Sequence, residues 1–189
     1  MTIDSKDLEN DEFGYSCYVI SIPAPSELLG RLSEIERAAG QVRAKIPAHI
    51  TVKGTFYSIA SLDGTLDVIR RVVSRHDPFV LGTDGMEFIG PDYSVILGFT
   101  VNPEIQALHD DLVANIAPMS KPAYRDDPYR AHMSIVNEVE PEGVAIAKSM
   151  TEDIDFGDGL DVNSIQLTAR DGVAFGGTWH RLELFKLGG

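Results

Sequence analysis

The sequence predicts an α+β fold of two pseudo-symmetric lobes from an internal duplication. Each lobe is an antiparallel sheet with helices on its outer face, and a central cleft lies between them. Three observations predict it. Strand-like and helix-like apolar spacings alternate along the chain. The order strand, helix, strand, helix, strands occurs twice. A pentapeptide, Ala48-His49-Ile50-Thr51-Val52, returns 83 residues later as Ala131-His132-Met133-Ser134-Ile135.

Taken in order, Tyr15 to Ile22 is aromatic and β-branched and reads as a buried strand stopped by Pro23 and Pro25. Leu28, Leu32, Ile35 and Ala39 recur at helical spacing, and Gly40 closes that helix. The first motif strand runs from Ala48 to Phe56. Leu66, Ile69, Val72 and Val73 mark a second helix, ended by Asp77-Pro78. Two short strands follow, Phe79 to Gly82 and Met86 to Ile89, with a turn at Gly90-Pro91-Asp92. In the second half, Tyr93 to Val101 is a strand. Asn102 and Pro103 suit an N-cap and a first helical residue, ahead of Ile105, Leu108, Leu112 and Ile116 on one face. A loop precedes the second motif strand. Pro141 opens a helix with Val144, Ala147 and Met150 inward. Strands Val162 to Ala169 and Val173 to Leu187, split by Asp171-Gly172, complete the pattern.

The 189 residues suffice for one domain with a sizeable core, residues 14–189 forming the bilobal unit and 1–13 a disordered N-terminus. The net charge of −13 disfavours binding a long polyanion, though a locally basic site still admits a small anion. Cys17 is the single cysteine, which excludes an intrachain disulfide and a cysteine-based zinc site. The polar, acidic start lacks the features of a secretory signal, and no apolar run approaches membrane-spanning length, so the expected setting is cytoplasmic and away from membranes.

The paired pentapeptides carry the chemistry. Of five histidines, only His49 and His132 have a hydroxyl residue two places on. In a strand the side-chain period is two, so each histidine shares a face with Thr51 or Ser134 while Ile50 and Met133 turn to the core. Two imidazoles and two hydroxyls around one space suit a phosphate. Lys53 shares the parity of His49 and Thr51 and adds positive charge to that face. Arg125 and Arg130, in or beside the loop before the second motif, either draw in a phosphate or pair with Asp126 and Asp127. Tyr124, Tyr129, Phe56 and Tyr57 are candidates to stack on a base; core or rim packing is the alternative for the tyrosines. His109, next to Asp110 and Asp111, reads as a surface residue. Neither motif brings a nearby carboxylate or a helical histidine pair, so no metal or other cofactor is expected.

With those residues, the chain resembles the 2H phosphoesterase superfamily, which includes the 2'-5' RNA ligase-like proteins and cyclic nucleotide phosphodiesterases. The resemblance rests on His49-Ile50-Thr51 and His132-Met133-Ser134, and on the extension Val52-Lys53-Gly54-Thr55-Phe56. Ala48 and Ala131 stand where members often have proline. The resemblance implies a metal-independent phosphodiesterase that opens 2',3'-cyclic phosphates of nucleotides or short RNA ends to leave a 2'-phosphate. His49 and His132 are then the acid/base pair, in either assignment, and Thr51 and Ser134 the donors to the phosphoryl oxygens. A monomer acting on a small phosphodiester or RNA end is expected. The alternatives are a 2'-5' RNA ligase-like or RNA-end-binding protein with little hydrolysis, and a non-catalytic small-molecule module.

Overall fold

Nine strands and four α-helices follow one another among the residues described by the computed structural model, which are 11, 14–41, 46–89, 94–121, 128–152, 154–156, 159–172 and 177–189. Strand β1 (Tyr15–Pro23) leads to α1 (Ser26–Ala38), then β2 (His49–Ser58), α2 (Leu62–Val73) and β3 (Phe79–Ile89). The second half gives β4 (Ser94–Phe99), α3 (Pro103–Ile116), β5 (Ser120–Lys121), β6 (His132–Val136), α4 (Pro141–Thr151), β7 (Gly159–Val162), β8 (Ser164–Asp171) and β9 (Trp179–Lys186). The α3 start is capped as its sequence dictates: the Asn102 side chain accepts from the Ile105 N–H at 2.8 Å, with Pro103 as the first helical residue.

All pairings are antiparallel, and the sheet is strongly curled. The strand order is β7-β3-β4-β6-β2-β1-β8-β9, with β5 joining β2 off this path. The motif strands β6 and β2 hold its centre, three strands to either side. The halves interpenetrate. First-half β3 pairs with second-half β4, and second-half β8 pairs with first-half β1. The helices follow: α1 packs on α4 and β6, while α3 packs on α2 and β2.

The α+β class stands, with one change. Two sheets were expected to set the motif strands face to face across a cleft; instead β2 and β6 are neighbours in one continuous sheet. Edge-to-edge pairing satisfies backbone N–H and C=O groups that two separate sheets would each leave along an open edge. Phe79 to Ile89 is also one strand, not two, because Gly85 at φ +81° and a register shift after Thr83 let the ladder continue. The two-residue β5 has no apolar period to announce it. Tyr93, most of the N-terminal segment and the Gly90-Pro91-Asp92 turn lie outside the described residues.

One face of the sheet is the core. The register sets Met86, Leu97, Met133, Ile50 and Ile22 in a row across five strands. Helical Leu32, Ile35, Ile69, Val72, Leu108 and Leu112 belong to the same cluster. Truncating a buried Ile50 or Met133 to alanine costs about 2–5 kcal/mol at such positions. The α1–α4 contact is closer still. A Cβ on Gly143 would overlap the Ala39 carbonyl oxygen and lie 3.0 Å from the Val139 Cβ. Gly143→Ala must therefore push the helices apart, at about 1–3 kcal/mol. The expected result is a melting temperature lower by roughly 2–12 °C, read by calorimetry; an unchanged midpoint would show that this contact is not tight.

Candidate functional site

The sequence His-x-Thr and His-x-Ser gains its geometry from one rung of the sheet. Ile50 pairs with Met133 in an antiparallel ladder. One residue to either side, His49 then stands opposite Ser134 and Thr51 opposite His132. Directly opposed Cβ atoms lie about 5 Å apart, and diagonal ones, here those of His49 and His132, about 7 Å. Val52 and Ile135 return to the core side, fully buried. His49, Thr51 and Ser134 are half-buried and His132 is exposed, so the four groups share a surface open to a ligand.

Each ring is held in the same way. His49 Nδ1 lies 2.9 Å from the Pro47 carbonyl oxygen, and His132 Nδ1 lies 3.0 Å from that of Arg130. A carbonyl can only accept, so Nδ1 carries a proton in both rings. Nε2 is then the nitrogen that gains or loses a proton. The repeat thus extends beyond residue type to a matched tautomer, fixed in both places by the residue two positions earlier.

Along β2 the ladder to β6 gives out after this rung, and the register to β1 shifts between Thr51 and Lys53. Side chains answer the carbonyls that the ladders leave unpaired. The Tyr129 hydroxyl donates to the Thr51 oxygen at 3.0 Å, and His109 Nδ1 donates to the Val52 oxygen at 2.6 Å. The two rings stack, with centroids 4.0 Å apart and planes 12° from parallel. His109 is thus a correction: expected on the surface, it is 5% exposed. The signal was present, since residues 105, 109, 112 and 116 form one helical stripe; the neighbouring aspartates masked it.

The remaining candidates divide. Lys53 is 7% exposed and its ammonium donates to the Gly54 carbonyl at 3.2 Å. The register shift just before it breaks the strict alternation that aligned it with Thr51. Tyr129 lies against the core with one ring face on His109. Arg130 is exposed and makes a two-point ion pair with Glu87, which sits above Gly98, the residue opposite His132. A Cβ on Gly98 would be 2.9 Å from a Glu87 oxygen, so a larger residue there would make the Glu87 side chain shift. Tyr124, Arg125, Asp126 and Asp127 lie outside the described residues. Cys17 is buried, and burial pushes its thiol above the ordinary value, which makes it a poor nucleophile. Among the described residues no three His, Cys, Asp or Glu side chains are grouped to hold a metal ion, and no helix is long and apolar enough to cross a membrane.

This arrangement can be compared with known proteins. Escherichia coli LigT in its apo form superposes with a TM-score of 0.61 at 16% identity, over 90% of this chain and 96% of that one. TT0787 of Thermus thermophilus gives 0.61 at 16% identity, over 92% and 98%. At such identity the likeness establishes the fold. No curated protein matches the chain in sequence. The model of the 2'-5' RNA ligase superfamily matches residues 24–174, a span that contains both motifs. With most of its length inside that match and both histidine motifs on one rung of the shared fold, the chain belongs to the 2'-5' RNA ligase superfamily of 2H phosphoesterases.

Proposed function

We propose that the protein is a metal-independent phosphoesterase that opens 2',3'-cyclic phosphates of nucleotides or short RNA ends, with His49 and His132 as its acid/base pair. The observation that carries this reading is the matched tautomer. Two rings, each with Nδ1–H bound to a carbonyl two residues back, offer two Nε2 atoms on a diagonal pair whose Cβ atoms lie about 7 Å apart. One ring, unprotonated at Nε2, takes a proton from the attacking water. The other, protonated at both nitrogens, gives its Nε2 proton to the departing ribose 3'-oxygen. The water oxygen–phosphorus bond forms as the phosphorus–3'-oxygen bond breaks, leaving a 2'-phosphate. In a ligation a 5'-hydroxyl takes the place of the water, the same phosphorus–3'-oxygen bond breaks, and the two rings keep these roles. A crystal structure of E. coli LigT with 3'-AMP is in keeping with a nucleotide-sized ligand.

The Thr51 and Ser134 hydroxyls donate to the non-bridging oxygens, where negative charge grows in the transition state. Removing one such donor costs about 3 kcal/mol, or roughly a hundredfold in kcat. Thr51→Val and Ser134→Ala should each show that loss with a 2',3'-cyclic nucleotide in EDTA, with KM little changed. A loss confined to KM would assign the hydroxyls to ground-state binding. Wild-type protein that leaves the cyclic phosphate intact in this assay would overturn the proposal itself.

A further inference from the structure

The face of the sheet that carries Thr51 does not end at β2. Through the register, Thr51 stands beside Ser21 and Ser21 beside Gln166. Further along β8, Thr168 stands beside Arg181 and Arg170 beside Trp179. Ile165, Leu167, Ala169 and Leu182 turn the other way, into or against the helix-covered core. Gln166, Thr168, Arg181 and Trp179 are outside that cluster. The floor is polar and satisfied within itself: Ser21 is 0% exposed, and the Gln166 amide donates to its hydroxyl at 3.2 Å. At the far end the Arg170 guanidinium lies over the Trp179 ring, 5.7 Å from its centroid, and donates to the Ser16 hydroxyl at 3.3 Å.

Charge adds to the contrast. Arg31, Arg70, Arg75 and Arg130 each face a carboxylate. Arg170 and Arg181, like Arg37 and Arg71, form no ion pair among the described residues, but only these two lie beside an indole, in a chain of net charge −13. Trp179 is half-buried yet unused by the core. Two uncompensated guanidiniums beside a flat indole are the elements with which proteins hold single-stranded nucleic acid, base on ring and phosphate on cation.

We propose that Arg170, Trp179 and Arg181 form a second nucleotide-contact subsite, in which Trp179 stacks on a base and Arg181 meets a phosphate. For where the reacting phosphate sits, the inference rests on the reading above. Three strand spacings separate β2 from β9, about 14 Å across the sheet, and the four residues from Gln166 to Arg170 add about 13 Å along the strand. One nucleotide cannot touch both ends of that path, whereas a short oligonucleotide can. The preferred substrate is therefore an oligonucleotide end, not a mononucleotide.

Trp179 is the only tryptophan in the chain, so its emission reports stacking directly. The experiment titrates the full-length protein with an RNA tetranucleotide ending in a 2',3'-cyclic phosphate and, separately, with 2',3'-cyclic AMP. Saturable quenching by the tetranucleotide alone is expected. Arg181→Ala, at an exposed position, should raise its midpoint roughly fivefold to tenfold and lower the salt slope by about one. No quenching, or an unmoved midpoint in Arg181→Ala, would overturn the subsite. Stacking is read without turnover, so the two readings fail separately. A tetranucleotide that quenches but is never opened removes the phosphoesterase reading and keeps the subsite. One opened with the same kcat/KM as the mononucleotide, without quenching, does the reverse.

Discussion

His49→Ala and His132→Ala should each lower kcat for a 2',3'-cyclic nucleotide by about a hundredfold to ten-thousandfold, the range for removing a positioned acid or base. The double variant should be little worse than either single one, because in the proposed mechanism the two rings act as one unit across one phosphate. Both side chains reach the surface, so melting temperature should hardly move. Retention of activity in either variant would sink the paired mechanism. So would additive losses in the double variant, which would mean two independent contributions. The activity lost should not return with added metal, and wild type should be indifferent to EDTA.

The second large effect falls on residues that need never touch a ligand. His109→Ala removes the donor to the buried Val52 carbonyl, at about 1–3 kcal/mol for the group left unsatisfied. It also removes the stack on Tyr129, worth about 0.5–1.5 kcal/mol more. Together these predict a melting temperature lower by roughly 3–18 °C. Tyr129→Phe keeps the ring and loses only the bond to the Thr51 carbonyl, so its stability cost should stay near 1 kcal/mol. Its kcat should nevertheless fall, with KM unmoved, because the strand that aims Thr51 loses its tether. If Tyr129→Phe instead raised KM for nucleotides of every base with kcat intact, Tyr129 would be a substrate contact, as the sequence alone also allowed. Calorimetry beside steady-state kinetics on the two variants separates these outcomes.

These contrasts show which information is local. The His-x-Thr and His-x-Ser faces follow from a period of two within five residues, and the core role of Ile50 and Met133 follows with them. The α3 cap at Asn102-Pro103 is equally local. What escaped is the identity of partners. That β6 pairs with β2 instead of facing it is decided by which backbone edges find each other, a matter on which neither strand's own pattern bears. Glu87 meets Arg130 across a strand from the other half, a partner that the adjacent Asp126 and Asp127 do not suggest. Lys53 shows a finer limit. Parity counting assumes a regular ladder, and one extra residue between Thr51 and Lys53 is invisible in composition. His109 was legible from its helical stripe, but the charge of its neighbours outweighed the spacing.

The exchange of strands between halves has a consequence for how the molecule is made. Strand β1 finds its second partner in β8, through pairs such as Tyr18 with Ala169, so about 150 residues separate hydrogen-bonded neighbours. Such distant closure places folding toward the slow end for domains of this size. On the ribosome, the outer edge of β1, with Tyr18, Ile20 and Ile22 beside it, waits unprotected until β8 has emerged. Nascent chains stalled before residue 164 should remain protease-sensitive and chaperone-bound, and release of the β8–β9 hairpin should lock every earlier segment at once.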